Sequence, residues 1–508
     1  MTDPQKNYSR RQLFGLVAGP VLFGLVLFAL PSLPGLSAGA QKTAAVAVLM
    51  ACWWMTEAIP IPATSLLPLA LLPLLGILPA EQAAAPYANH LIFLFLGGFL
   101  IALSMQRWNL HRRVAMQVVR LVGFSPGRLV FGFMAASALL SAFVSNTVTA
   151  MMMMPIGLAI IDQVAAAGRQ QGLEIDFSPG RFPFGVNLML GIAYASSIGG
   201  IATLIGTPPN TVLAGYLQTA YGYEITFARW MLVGVPLALT LLPLCWLWLV
   251  KWANPMKIEK VPGGREIILQ ELNSLGPLSA GEWWTALVFV LTALGWIFRG
   301  QLAPLLPEPD MVTDATIAML GALVLFLIPL DLKRGVFVMD WQWAARLPWG
   351  VLLLFGGGLS LAAAFEATGL SAWIGEQVFL LREAPIPVLI VAVTTLIIFL
   401  TELTSNTATA AMAMPVFSAV ALGLHQNPLL LVVPAALAAS CAFMLPVATP
   451  PNAIVFGSGY VSIPQMAKSG FGLNLISILL ISLVTHLLVV PLFDVVYGQL
   501  PQWIGAGG

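Results

Sequence analysis

Long apolar runs separated by short polar or basic segments dominate the chain. Eleven of them come close to the roughly 20 residues that a helix needs to cross a bilayer. This pattern predicts an all-α polytopic membrane protein. The predicted spans are 13–34, 43–59, 63–79, 91–106, 186–205 with a continuation past 211, 230–250, 283–299, 314–330, 348–367, 429–447 with a continuation past 452, and 471–494.

Two further apolar regions, 129–164 and 387–423, are each interrupted by a small polar island. The islands read Ser-Asn-Thr at 145–147 and again at 405–407. Polar groups in hydrocarbon are costly unless they bind a ligand or pair with one another. Irregular backbone at membrane depth is tolerated only inside protein or along a cavity. We therefore predict two re-entrant hairpins with the islands at their tips.

The islands belong to longer segments that occur twice. Residues 145–155 and 405–415 agree at eight of eleven positions, at an offset of 260. Residues 207–210 and 449–452 both read Thr-Pro-Pro-Asn, at an offset of 242. The predicted organisation is a tail and first helix (1–42), a first repeat with scaffold helices, hairpin and broken helix (43–218), connecting helices with a cytoplasmic linker (219–313), a second repeat (314–460), and a last helix with a C-terminal tail (461–508).

The distribution of basic residues predicts the orientation. With the N-terminus in the cytoplasm and eleven alternating spans, eighteen of the 22 Lys and Arg residues lie on the cytoplasmic side, as the positive-inside rule requires. This layout puts the C-terminus outside and makes the two hairpins enter from opposite faces. The repeats are then inverted, which is typical of secondary transporters.

Composition agrees with this class and narrows the chemistry. Hydrophobic residues make up 59% of the chain and charged residues 8%, with a mean hydropathy of +0.91, whereas soluble proteins carry about 25% charged residues. The net charge of +1 and the absence of a dense basic patch argue against nucleic acid. The three Cys and four His residues are widely scattered, which predicts neither a disulfide framework nor a metal cluster.

Each Thr-Pro-Pro-Asn island is predicted to break a membrane-deep helix, because proline lacks an N–H and clashes with the preceding turn. Carbonyl groups freed before a break suit a cation, and N–H groups freed after it suit an anion. None of the four islands contains Lys or Arg. Their amides and hydroxyls could serve an anion and Na⁺ together. The alternative is that these residues only join helices and that the prolines are tolerated kinks; the repetition favours a site.

Three acidic residues, Glu57, Asp314 and Glu402, lie nearest the membrane interior. Intramembrane carboxylates are functional candidates. Two roles compete: coupling to a proton or cation, and hydrogen bonding to the N–H groups of broken helices. We favour the structural role, since Glu57 and Asp314 occupy matching positions in the repeats, whereas Glu402 has Ala142 as its counterpart.

The chain resembles the divalent anion/sodium symporter family, the sodium-coupled di- and tricarboxylate carriers. The motifs that carry the resemblance are WWMTEAIPIP at 53–62, both Ser-Asn-Thr islands, both Thr-Pro-Pro-Asn islands and AIVFGSG at 453–459. The resemblance implies an elevator-type homodimer, in which a transport domain with the hairpins and broken helices moves against a scaffold domain.

The resemblance also implies a set of site residues. Those implied to hold the substrate are Asn146, Thr147, Thr207, Asn406, Thr407, Thr449 and Pro450. Those implied to hold a first sodium are Ser141, Ser145, Asn146 and Gly206. Those implied to hold a second sodium are Thr401, Thr404, Asn406 and Ala448.

The predicted function is Na⁺-coupled uptake of C4-dicarboxylates such as succinate, malate or fumarate across the cell inner (plasma) membrane. The absence of a cationic group reserved for a third carboxylate favours C4-dicarboxylates. Alternatives are a Na⁺-independent dicarboxylate exchanger, a citrate carrier or a sulfate carrier. An anion channel is a further alternative, against which the chain shows no ring of like charges. An enzyme is not expected, because no catalytic arrangement falls at membrane depth.

Overall fold

The computed structural model describes residues 8–29, 34–170, 175–256, 264–305, 307, 308, 311–377 and 383–504. Within these ranges the chain is helical, apart from one small antiparallel hairpin formed by β1 (Pro329–Asp331) and β2 (Val336–Phe337). The end of the predicted first span (30–33), part of the linker (257–263) and the last four residues of the C-terminal tail (505–508) lie outside the described residues.

Helices up to the first predicted break are α1 (Arg10–Gly24), α2 (Ala38–Thr56), α3 (Ile61–Thr64), α4 (Leu67–Leu74), α5 (Ala80–Ala84), α6 (His90–Arg107), α7 (Leu110–Val122), α8 (Pro126–Ser141), α9 (Asn146–Gln170) and α10 (Pro183–Ile201). The chain continues with α11 (Pro208–Tyr221), α12 (Phe227–Leu247), α13 (Gly264–Ser274), α14 (Ala280–Ile297) and α15 (Arg299–Leu302).

The second half contains α16 (Asp314–Leu327), α17 (Trp341–Ala344), α18 (Trp349–Thr368), α19 (Leu370–Gln377), α20 (Ile386–Thr401), α21 (Asn406–Gly423), α22 (Leu429–Ala439), α23 (Pro450–Gly457), α24 (Ile463–Val484) and α25 (Val490–Leu492). Short π-helical segments extend three of the helices, at Leu25–Ala29, Trp248–Ala253 and Thr485–Val489. Two 3₁₀ segments are Ala85–Ala88 and Ala303–Leu305.

Nine helices of the described chain are long and apolar enough to cross a bilayer: Arg10–Phe28, Ala80–Arg107, Asn146–Gln170, Pro183–Ile201, Phe227–Ala253, Ala280–Ile297, Trp349–Thr368, Asn406–Gly423 and Ile463–Leu492. Shorter apolar helical stretches are Ile61–Leu74 (α3 and α4 together), Pro126–Ser141, Asp314–Leu327, Ile386–Thr401 and Leu429–Ala439. The chain is therefore an all-helical, multi-span membrane protein. Asn146–Gln170 and Asn406–Gly423 are the second arms of the two predicted hairpins.

The sequence repeat is visible in the helix boundaries. The helices α8 and α20 each have 16 residues and begin 260 positions apart. Asn146 begins α9 and Asn406 begins α21 at the same offset. Both breaks fall where the prolines predict them, with Pro208 and Pro450 as the first residues of α11 and α23.

The predicted third span, 63–79, is not one continuous helix. It is divided into α3 and α4 around Ser65 and Leu66. Ser65 Oγ donates to Ile61 O at 2.8 Å and accepts from Trp54 Nε1 at 3.2 Å. Pro68 brings no N–H to continue the helical ladder. The two short helices together span only 61–74, which is less than the predicted length.

The packing of the helices determines where the site forms. On one side α6 packs against α14 and α16, and on the other α10 packs against α8 and α9. The helices α8 and α10 are in close contact, because a Cβ added at Gly199 would lie 2.1 Å from Ala138 O. In the second half α20 packs against α22, so each island lies next to a broken helix.

Candidate functional site

Each hairpin tip is closed by a hydrogen bond across the turn. Thr401 Oγ1 donates to Asn406 Oδ1 at 2.7 Å and is also 3.1 Å from Ala439 O. In the first hairpin Ser141 Oγ contacts the Asn146 carboxamide at the same five-residue spacing. The asparagine of each island therefore fixes its own tip.

The first tip is also bonded to the first break. One terminal atom of the Asn146 carboxamide lies 3.1 Å from Ser196 O and 3.3 Å from Gly206 O. The Thr203 hydroxyl donates to Ala142 O. These bonds bring Ser141, Asn146 and Gly206 together, as predicted for one ion site.

The two breaks have a similar backbone geometry, although the Thr449 hydroxyl caps its helix by accepting from Asn452 N and the Thr207 hydroxyl makes no such bond. Thr207 and Thr449 are extended N-caps, with φ near −145° and −141°. Asn210 Nδ2 donates to Gly200 O at 3.2 Å and to Thr203 O at 2.8 Å. Asn452 Nδ2, 242 residues later, makes the equivalent bonds to two backbone carbonyl oxygens.

The acceptors for Asn452 are Ala442 O and Leu445 O, both at 3.1 Å. The last residue of each Thr-Pro-Pro-Asn island thus satisfies carbonyl groups that the broken helix leaves without N–H partners. Asn210 and Asn452 therefore stabilise the backbone of the breaks. For these two residues the contacts support the alternative that polar island residues have a structural role.

Glu402 makes the second half different from the first. Its buried carboxylate accepts from Phe443 N (2.7 Å), Met444 N (2.9 Å) and Leu445 N (3.1 Å). Asn474 Nδ2 donates to it as well, at 2.8 Å. Glu402 therefore has the structural contacts that we favoured from the sequence: it binds the N–H groups of a broken helix.

Glu57 and Asp314 do not share an environment, so the sequence-based match between them is wrong. Glu57 follows the end of α2 with a positive φ of 52°, and its carboxylate is half exposed beside Arg11. Asp314 is the first residue of α16, is buried, and accepts from Phe227 N at 2.6 Å. It also lies 3.3 Å from Arg299.

All four islands line one cavity, of about 1740 Å³ including its open mouth. It contains every residue predicted to hold the substrate: Asn146, Thr147, Thr207, Asn406, Thr407, Thr449 and Pro450. It also contains four of the remaining predicted ion ligands: Ser145, Gly206, Thr404 and Ala448. Ser141 and Thr401 are buried behind the asparagines that they contact.

The electrostatics of the cavity favour an anion. The helices α9, α11, α21 and α23 all direct their N-terminal ends to it. Unpaired N–H groups and the helix dipole make such an end attractive to negative charge. Hydroxyls and carboxamides of the islands add further donors.

A family model described as the sodium:sulfate symporter transmembrane region matches residues 11–495. The chain belongs to the sodium:sulfate symporter family. Members of this family are transporters and not enzymes.

Relatives of this symporter-family chain are similar over almost its whole length. The sodium-dependent dicarboxylate transporter SdcS of Staphylococcus saprophyticus is 46% identical over 491 residues, covering 96% of this chain and 94% of the relative. The protein of the same name from Staphylococcus aureus strain USA300 is 46% identical over 485 residues, covering 95% and 92%.

A solved structure supports the fold of this family member. The crystal structure of the Alcanivorax borkumensis YdaH transporter aligns with a TM-score of 0.57 at 14% identity. The alignment covers 96% of this chain and 99% of that one. At this identity the likeness concerns the fold alone.

The tips of this symporter-family chain offer oxygen ligands suited to Na⁺, a coupling ion rather than a cofactor. The Thr401 hydroxyl, the Asn406 carboxamide and Ala439 O lie together in the second half. In the first half the Ser141 hydroxyl and Gly206 O lie around one terminal atom of the Asn146 carboxamide, which is the oxygen in one of the two amide orientations. All are neutral oxygen donors, the type that hard cations take. No group of three or more His, Cys, Asp or Glu residues that could hold a metal ion occurs in the described ranges.

Two functional candidates were missed from the sequence. Gly200 lies in α10 directly against the first tip, since a Cβ added there would be 2.7 Å from the nearer terminal atom of the Asn146 carboxamide. Arg11 lies at the mouth of the cavity. The position of Gly200 beside the first break is a sequence feature that could have identified it. The sequence around Arg11 contains no such feature.

We expect Gly200→Ala to reduce transport by about tenfold or more, because the added methyl must displace the Asn146 carboxamide and a small misplacement at a site is costly. Gly24→Ala is the matched control, since nothing lies within 4 Å of a Cβ at Gly24. Uptake into proteoliposomes, normalised to reconstituted protein, measures both. Equal activity of the two variants would contradict the proposed position of Asn146 in the site.

Proposed function

We propose that this protein is a Na⁺-coupled symporter that moves C4-dicarboxylates such as succinate, malate or fumarate into the cytoplasm. The observation that carries the proposal is the single cavity in which four helix N-termini and both Ser-Asn-Thr islands meet. The islands supply donors for carboxylates without any Lys or Arg. The Staphylococcus relatives bear the name sodium-dependent dicarboxylate transporter.

We assign the carboxylates of the substrate to the two tips, with Asn146 and Thr147 on one side and Asn406 and Thr407 on the other. Thr207, Thr449 and Pro450 complete the pocket. A first Na⁺ binds among Ser141, Ser145, Asn146 and Gly206, and a second among Thr401, Thr404, Asn406 and Ala448. Support comes from the shared cavity and the tip contacts.

The proposed transport cycle begins with Na⁺, which orders the tips through its oxygen ligands. The dianion then binds across the tips, and its charge is offset by the bound cations. The loaded transport domain moves through the membrane against a scaffold domain, as in an elevator, within a homodimer. This proposal includes eleven spans, two re-entrant hairpins entering from opposite faces, a cytoplasmic N-terminus and an external C-terminus.

Uptake of labelled succinate into proteoliposomes, with and without an inward Na⁺ gradient, tests the coupling. We expect uptake above equilibrium only with the gradient, because symport draws its energy from Na⁺. Uptake that ignores the gradient and requires internal dicarboxylate would instead establish an exchanger. Competition by malate, fumarate, citrate and sulfate then identifies the substrate, and dominant inhibition by sulfate or citrate would overturn the dicarboxylate assignment.

A further inference from the structure

Arg11 extends from the first turn of α1 into the mouth of the substrate cavity. A capping box fixes that turn: Ser9 Oγ accepts from Gln12 N at 3.3 Å, and Gln12 Oε1 accepts from Ser9 N at 3.0 Å. The cavity reaches the surface here, since Leu403 is 58% and Val447 73% exposed. Arg11 therefore lies at the opening of the cavity, between the tips and the protein surface.

The backbone of α1 near Arg11 is held in place by its packing against α2. Trp53 Nε1 donates to Gly15 O at 3.0 Å, so α1 is bonded to α2. A Cβ at Gly15 would overlap Thr56, and one at Gly19 would lie 2.4 Å from Trp53 Nε1. The two helices are in close contact, which holds the Arg11 backbone at a fixed position beside the cavity.

The guanidinium of Arg11 has two partners across the mouth. Its Nη1 donates to Leu403 O, in the second hairpin tip, at 3.1 Å. Its Nη2 lies 3.2 Å from Glu57 Oε1. Leu403 is three residues from Asn406 along the chain, and Arg11, Leu403 and Asn406 all line the same cavity.

Charge in the cavity is confined to this pair. Of the described residues that line the cavity, Arg11 is the single cation and Glu57 the single acid. Their side chains are 44% and 48% exposed, and ion pairs exposed to this degree contribute little stability. A guanidinium can bind a carboxylate through two parallel N–H···O bonds. A dicarboxylate passing through the mouth can therefore replace Glu57 at small cost.

We infer that Arg11 is a substrate-positioning residue: it receives one carboxylate of the dianion at the mouth of the cavity, in exchange for Glu57, before or after the tips hold it. This inference rests on the proposed dicarboxylate function and adds a cationic contact that the islands lack. Glu57 is then an internal competitor of the substrate. The two residues must affect dianion affinity in opposite directions.

Binding of succinate to the purified protein at constant Na⁺ tests this, with ionic strength raised from about 0.02 to about 0.3 M by choline chloride. We expect Arg11→Gln to raise the apparent Kd about three- to fivefold and to flatten its dependence on ionic strength. Arg11→Lys should restore that dependence. Glu57→Gln should lower the Kd, and the double variant should resemble Arg11→Gln.

Arg10→Gln is the matched control, because Arg10 has the same charge on the same turn but does not line the cavity. An equal effect of Arg10→Gln would overturn the inference in favour of a general effect of net charge. Weaker binding by both Arg11→Gln and Glu57→Gln would overturn it in favour of a structural ion pair. Absence of Na⁺-dependent succinate binding by the wild type would contradict the proposed function, and therefore also this inference.

Discussion

Asn406→Ala, and separately Asn146→Ala, are expected to reduce Na⁺-driven succinate uptake by about 100-fold or more. Each substitution removes a proposed ligand of both Na⁺ and substrate. Each also removes a bond that closes a tip: Thr401 to Asn406 in the second hairpin, and Ser141 to Asn146 in the first. Because the two tips face one cavity, an intact tip in one half cannot replace the other.

Initial uptake rates in proteoliposomes measure these effects, and Asn109→Gly serves as a control. Asn109 is exposed and has a positive φ of 59°, which glycine adopts without strain. That variant should transport normally. Rates near wild type in both alanine variants would remove the two asparagines from the proposed site.

Glu402→Gln is expected to destabilise the protein by about 2–3 kcal/mol, the usual cost of losing hydrogen bonds to a buried charged group. The carboxylate accepts from three consecutive backbone N–H groups and from Asn474. Glutamine has only one acceptor oxygen, and its amide group would face donors. A lower melting temperature in detergent should accompany reduced transport.

Glu376→Gln provides the comparison for this stability measurement, since Glu376 is exposed near the end of α19. Its melting temperature should stay within error of the wild type. An unchanged melting temperature for Glu402→Gln would mean that the N–H groups at 443–445 do not depend on a charged acceptor, and the structural role of Glu402 would be wrong.

The parts of the site that could be predicted from sequence are those with local causes. Two adjacent prolines fit a helix only in its first turn, so the starts of α11 and α23 were correctly placed. The polar islands correctly located the turns between α8 and α9 and between α20 and α21. The offset of 260 related Ser141 to Thr401, and both contact the asparagine five residues later.

Contacts between distant parts of the chain that the repeat does not relate could not be predicted. Arg11 and Leu403 are 392 positions apart, and no periodicity relates them. The Gly200 contact with Asn146 depends on how closely α8 and α10 pack. The division of the third span depends on Ser65 and Trp54, whose hydrogen bond requires the folded packing. The match of Glu57 with Asp314 was wrong because the two tripeptides around them are similar in sequence, whereas the two carboxylates have different partners in the structure.

The different attachments of the two tips bear on how the repeated segments have evolved. In the first half a neutral hydroxyl of the break, on Thr203, donates to the Ala142 carbonyl of the tip. In the second half the tip supplies a charge, on Glu402, and the break supplies the N–H groups. Recombination that copied one tip over the other would bury an unmatched carboxylate or leave three amides without an acceptor. Selection should therefore oppose gene conversion between the two segments, despite their near-identity, and keep the copies distinct.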